Sequence, residues 1–207
     1  MAEHKTQIMD VPISGKPKKR STGIVGLNLL LDGGFPGGTI IMLYGTPVSG
    51  IDIAAQQFWK VEGEEGSYLI TDGDPDIGMV DVSENHPEMF LPQMVGGKII
   101  VDSLSPVIIK YGIDSALQFL KLAREEIRKR DANLMILVYT GIHSPMEMTR
   151  LMRAADIVIE FTHVASQNEV ERLLAVQKIR DSAVPGRMLP FTITDHGIEA
   201  STTSRVV

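Results

Sequence analysis

Short apolar runs and amphipathic stretches alternate along most of this chain, and that alternation restricts the fold more than any other feature. Thr39–Tyr44 (TIIMLY), Ser67–Asp72 (SYLITD), Lys98–Ser103 (KIIVDS), Leu134–Thr140 (LMILVYT) and Asp156–Phe161 (DIVIEF) are brief, bulky and rich in strand formers. Runs this short, apolar on both alternating faces, read as strands covered on both sides, which is the habit of a parallel sheet. Parallel neighbours need long crossover connections, usually helical. The intervening segments supply them. IDIAAQQFWKVEG follows the first run. DSALQFLKLAREEIRKR starts at Asp114, read as a cap, with Leu117, Leu120, Ala123 and Ile127 on one face. SPMEMTRLMRAA carries Ser144, Pro145 and Glu147 as a capping box. An earlier helix places Ile24, Leu27, Leu30 and Leu31 on one face and stops at Gly33-Gly34. The end of the chain changes habit: ERLLAVQKIR and LPFTITDHGIEA are strand-like without helices between them. The expected architecture is therefore α/β in three layers, a mostly parallel central sheet with helices on both faces and an antiparallel C-terminal edge. Residues 73–97 show no clean period and predict one short helix within irregular chain.

A chain of 207 residues suffices for one such domain, expected over 21–207 behind a polar and basic tail, 1–20. Lys16, Lys18, Lys19 and Arg20 end that tail, and a solvated approach to the domain accounts for them better than a nucleic-acid patch. The formal net charge of −6 gives no general attraction to nucleic acid or to anionic lipid. Without cysteine there is neither a disulfide framework nor a thiolate metal site, and the five histidines lack ligand spacing. No apolar leader opens the sequence and no run reaches membrane-spanning length, so a cytoplasmic protein with no membrane partner is expected.

The segment after the first strand reads Gly45, Thr46, Pro47, Val48, Ser49, Gly50. Two glycines at this spacing, between a strand and a helix, are the frame of a phosphate-binding loop. Such a loop continues with Lys and then Ser or Thr; here those positions hold Ile51 and Asp52. A carboxylate in a helix's first turn suits the helix dipole, and Ser49 with Asp52 has capping-box spacing, so the expectation is a helix start that caps itself. Asp102 ends the third strand, where it has a metal role or a capping role open to it. Lys178 and Arg180 alternate on one side of a strand. His143, Ser144 and Asp156 do not form a nucleophilic site, because nothing builds a nucleophile elbow around Ser144.

Three segments together resemble the RecA-like ATPases, in particular their KaiC-like branch. STGIVGLNLLLDGGFPGGTIIMLYGTPVSG is similar to the family's approach to its phosphate loop. KIIVDSLSPV is similar to its magnesium-aspartate strand, and AVQKIRDS with LPFTITDHGIEA to its Lys-x-Arg strand and closing hairpin. The resemblance covers roughly residues 20–200. It implies a RecA-type core and assembly with nucleotide between subunits. It also implies roles: Asp102 as the acid that orients magnesium, Thr140 as the polar sensor, and Lys178 and Arg180 as a basic pair acting across a subunit boundary. The paired acids that activate water align with Gly73 and Asp74, so the first is missing.

With Ile51, Asp52 and Gly73 at those positions, the expected protein is a non-catalytic family member with a vestigial nucleotide site at Gly45–Asp52, Asp74, Asp102 and Thr140. No resident cofactor or metal is expected. A regulatory or scaffolding subunit follows, assembling with itself or a paralogue through a surface that includes Lys178 and Arg180. Two other readings stand beside it. One is an ATP-binding enzyme with an atypical loop, the other a recombinase-like DNA-binding accessory. The acidic balance and the lack of interleaved aromatic and basic residues count against the last.

Overall fold

The computed structural model describes residues 18–166 and 169–201. In chain order the first elements are β1 (Lys19–Arg20), α1 (Val25–Leu30), β2 (Phe35–Pro36), β3 (Ile40–Gly45), α2 (Ile51–Trp59), β4 (Gly66–Ile70) and β5 (Val80–Asp81). A 3-10 helix (Pro87–Gln93), β6 (Lys98–Asp102), α3 (Leu104–Lys129), β7 (Asn133–Tyr139) and α4 (Pro145–Ala154) follow. The chain closes through β8 (Ile157–Ser166), β9 (Glu169–Ile179), β10 (Leu189–Thr194) and β11 (Gly197–Ala200).

Period-two alternation in the central strands builds the layers. Ile40 and Met42 of β3 face one side and Ile41 and Leu43 the other, and all are buried. The first set joins Ile99 and Val101 of β6, Leu134 and Ile136 of β7, and the inner faces of α3 and α4. The second joins Tyr68, Ile100, Met135 and Leu137 and the inner faces of α1 and α2. Strands apolar on both faces thus receive helices on both, as expected. The main sheet runs β11-β10-β9-β8-β3-β7-β6-β4-β5. From β8 to β5 every pairing is parallel, and β9, β10 and β11 extend the other edge antiparallel. The order puts β3, which carries the glycine turn, in the middle, between β8 and β7.

Two expectations need adjustment. α3 begins at Leu104, ten residues before Asp114, with Ser103 at its N-cap and a break at Gly112 (φ 80°, ψ 161°). Its first part, LSPVII, reads as a strand by composition, yet Pro106 is tolerated in a first turn and the 3-10 helix packs over it. Asp114 instead accepts a bond from Arg150 of α4 at 2.5 Å. Residues 73–97 contain the one short helix expected and also β5, which pairs with β4. The capping box at Ser144 is present, with Glu147 N–H on Ser144 Oγ and Ser144 N–H on the Glu147 carboxylate.

The boundary drawn at residue 20 leaves β1 on the tail side, although β1 pairs with β2. Lys18 is paired with Glu64 at 2.7 Å, Lys19 donates to the carbonyls of Leu31 and Asp32, and Arg20 bonds Glu64, the Asp131 carbonyl and Asn133. Lys16 lies outside the described residues. Among the described residues no helix is long and apolar enough to cross a membrane.

Candidate functional site

At the carboxyl ends of the parallel strands the chain turns between β3 and α2. Gly45 has to be glycine: a Cβ there would lie 2.4 Å from Ser49 Oγ and 2.7 Å from the Phe161 carbonyl. Gly50 sits in the left-handed region at φ 90° and is the N-cap of α2. Between them the Ser49 N–H and hydroxyl both donate to the Thr46 carbonyl, at 3.0 and 2.7 Å, which closes the turn. Thr46 Oγ1 lies 3.3 Å from the His163 ring on β8. Pro47 and Val48 form the exposed tip.

The self-capping expected of Ser49 and Asp52 does not occur. α2 has no side-chain cap, because Ser49 is turned inward onto Thr46 and a glycine without a side chain holds the cap position. Ile51 has no exposed surface and packs with Ala54, Ala55 and Phe58 into the core on the α2 side of the sheet. Asp52 is half-buried and turned toward the ends of β4 and β6, where its charge acts on Asp102, Tyr68 and Tyr139.

Asp102 follows Val101 in β6, so it faces the α2 side, as Tyr68 does from β4. The Tyr68 hydroxyl donates to Asp102 Oδ2 at 2.6 Å. Neither Ser49 nor a helix N-terminus holds this carboxylate. Burial, helped by Asp52 and Asp72, pushes the Asp102 carboxyl above the usual carboxylate range, against the Tyr68 bond. Burial, with the charges of Asp102 and Asp52, pushes the Tyr68 and Tyr139 phenols far up. Of the acids after β4, both Asp72 and Asp74 are exposed, and the charge of Asp72 acts on this group. Thr140 follows β7 directly, with its N–H on the Gly45 carbonyl at 2.9 Å. Among the described residues no three His, Asp or Glu side chains converge closely enough to hold a metal ion.

The raised carboxyl has a consequence for stability. The folded chain holds the Asp102 proton more tightly than the unfolded chain does. Ionisation therefore penalises the fold, from the unfolded-state value upward, and fully once pH exceeds the folded value. Asp102→Asn keeps an acceptor for Tyr68 and removes the charge. It is expected to raise the denaturant midpoint at neutral pH, with the gain fading below about pH 4. A variant no more stable than wild type at neutral pH would show that the carboxylate is well solvated.

Lys178 and Arg180 lie at the opposite end of the sheet. Lys178 Nζ donates to the carbonyls of Met152, Arg153 and Ala155 at 2.8, 3.3 and 2.6 Å, so it caps the C-terminus of α4. Arg180 pairs with the buried Asp156 at 2.9 Å. Both have partners in their own chain, so reversing their charges would break bonds within the fold. Asp156, set aside above as a nucleophile's partner, is a structural hub. It accepts from Ile40 N–H at 2.9 Å and from Arg124 at 2.6 and 2.8 Å. His143 bonds Ser105 at 2.9 Å, and Ser105 is almost fully buried.

Sequence reasoning missed Tyr68, Asp72, Tyr139 and His163. Tyr68 and Asp102 share a face through strand alternation, which was the available signal. His163 became significant only through the pairing of β8 with β3.

Comparison with known proteins agrees with this arrangement. The KaiC-like protein PH0186 from the hyperthermophilic archaeon Pyrococcus horikoshii OT3 superposes with a TM-score of 0.72 and 16% identity, over 89% of this chain and 99% of that one. The fold is thus that of a KaiC-like RecA-type domain. No curated protein matches the sequence. The family described as "Family of unknown function (DUF7125)" matches residues 67–205, two thirds of the sequence, and the chain belongs to it.

Proposed function

We propose that this is a non-catalytic KaiC-like protein, a regulatory or scaffolding subunit that assembles with itself or with a paralogue. The observation that carries the proposal is Ile51: a fully buried hydrocarbon stands where the resembled loop places an ammonium against phosphate. Beside it, Asp52, Asp72 and Asp102 gather negative charge at the strand ends. These residues do not fit a magnesium-bound triphosphate. Losing one attraction at ~4 Å weakens binding by on the order of 4 kcal/mol at an effective dielectric of 20, about a thousandfold, and a repulsion in its place weakens it further. Asp102 is bonded to Tyr68, and Gly73 has no acid to activate water.

The expected result is no magnesium-dependent phosphate release above background from the purified chain. Turnover that disappears in Asp102→Ala would overturn the proposal. Assembly is read separately, by light scattering of the chain alone and with KaiC-like partners. A strict monomer that captures no paralogue removes the scaffolding role.

One observation favours a second reading, nucleotide binding without turnover. The N-terminus of α2 has no side-chain cap, so the loop amides remain oriented for an anion. Calorimetry with ADP and ATP separates the two readings: heat of binding without phosphate release supports the second.

A further inference from the structure

A cavity lies at the opposite end of the sheet from the glycine turn. It has a volume of about 400 Å³ and opens between the start of β3, the start of β8, the end of β9 and the last turn of α3. Its floor is backbone. The Asp131 carboxylate lies against the Gly37 backbone, in the space that a Cβ at Gly37 would take. Pro36, Ile157 and Ile179 give it an apolar wall.

The charges around it are unevenly matched. Asp156 is neutralised from behind by Arg124, and Arg180 adds only its Nε to that pair, which leaves its terminal N–H groups uncommitted. The Arg128 guanidinium has no hydrogen-bond or ionic partner among the described residues, and neither do the carboxylates of Asp131 and Asp181. Two guanidinium groups and two carboxylates therefore border one cavity with no ion pair between them, and Arg128, Arg180 and Asp181 are exposed. A simple anion would meet the two carboxylates, and a simple cation the two arginines. A molecule carrying both charges has complementary groups for each of them.

We infer that this cavity is a binding site for a small zwitterion of the amino-acid class, its carboxylate on Arg128 and Arg180, its ammonium on Asp131 and Asp181, and an aliphatic side chain against Pro36, Ile157 and Ile179. The site is independent of the loop at Gly45–Gly50 and of any nucleotide chemistry there.

Three matched probes test the assignment by amide chemical-shift titration of the full chain: L-leucine, 4-methylpentanoate without the ammonium, and 3-methylbutylamine without the carboxylate. L-Leucine is expected to shift the amides of Gly37, Gly38 and Ile179–Asp181, and each single-charge analogue to bind about tenfold or more weakly, since each forgoes a charge-assisted bond. Arg128→Gln and Asp131→Asn should weaken L-leucine by a similar factor while leaving the denaturant midpoint unchanged, because neither side chain bonds within the described residues. No shift at these amides up to the solubility limit of L-leucine overturns the site. Equal binding by 4-methylpentanoate overturns the zwitterion.

Discussion

Asp156→Ala should be among the most destabilising single substitutions in this protein, costing about 3–5 kcal/mol, the usual penalty for breaking a buried ion pair from one side. The carboxylate is only 3% exposed and serves four elements at once. It accepts the first N–H of β3, it holds Arg124 of α3 through both oxygens, it pairs with Arg180 just past β9, and it stands just before β8. Removing it strands two guanidinium groups and a buried amide together. Arg180→Gln is the gentler comparison: its side chain is 37% exposed, and screening should limit the loss to about 1 kcal/mol. Urea denaturation of both variants provides the measurement. A loss below about 1 kcal/mol for Asp156→Ala would mean that solvent reaches the carboxylate, contrary to the hub described.

That hub explains why the layers were legible in the sequence and the links between them were not. Period-two and helical spacing are local signals, and they gave the strands around Ile40, Ile99 and Leu134, the helices behind them and the antiparallel close. The capping box at Ser144 is local too and was read correctly. Asp156 gives no local signal, because its partners lie 32 residues back at Arg124 and 116 back at Ile40. The partners of Lys178 and Arg180 are hidden for the same reason: alternation places both on one side of the strand, and only the fold brings the C-terminus of α4 and Asp156 against that side. The error at Ser49 and Asp52 has a different origin. Their spacing fits a capping box, but the left-handed Gly50 takes the cap position and turns Ser49 inward. The early start of α3 was hidden by composition, since VII in a first turn looks like a strand until Ser103 is recognised as its cap.

The loop itself offers the other large effect. Ile51→Lys with Asp52→Thr restores the residue types of a phosphate loop, and it is expected to destabilise the chain by about 2–4 kcal/mol without conferring hydrolysis. Ile51 fills a fully buried site against Ala54, Ala55 and Phe58, and lysine would leave that volume unfilled or place an ammonium within it. The threonine relieves one carboxylate, which should slightly lower the Asp102 carboxyl, since Asp52 is one of the charges that raise it. Two obstacles to turnover would remain. Asp102 still carries the Tyr68 hydroxyl at 2.6 Å, and Gly73 still supplies no acid. The assay is phosphate release with magnesium, together with thermal denaturation of the variant in the presence and absence of ADP. A destabilised variant with no turnover fits a loop whose apolar anchor has become part of the core. A variant as stable as wild type that hydrolyses ATP would place the natural protein two substitutions from an active enzyme, and the proposal that its function lies in assembly would have to be given up.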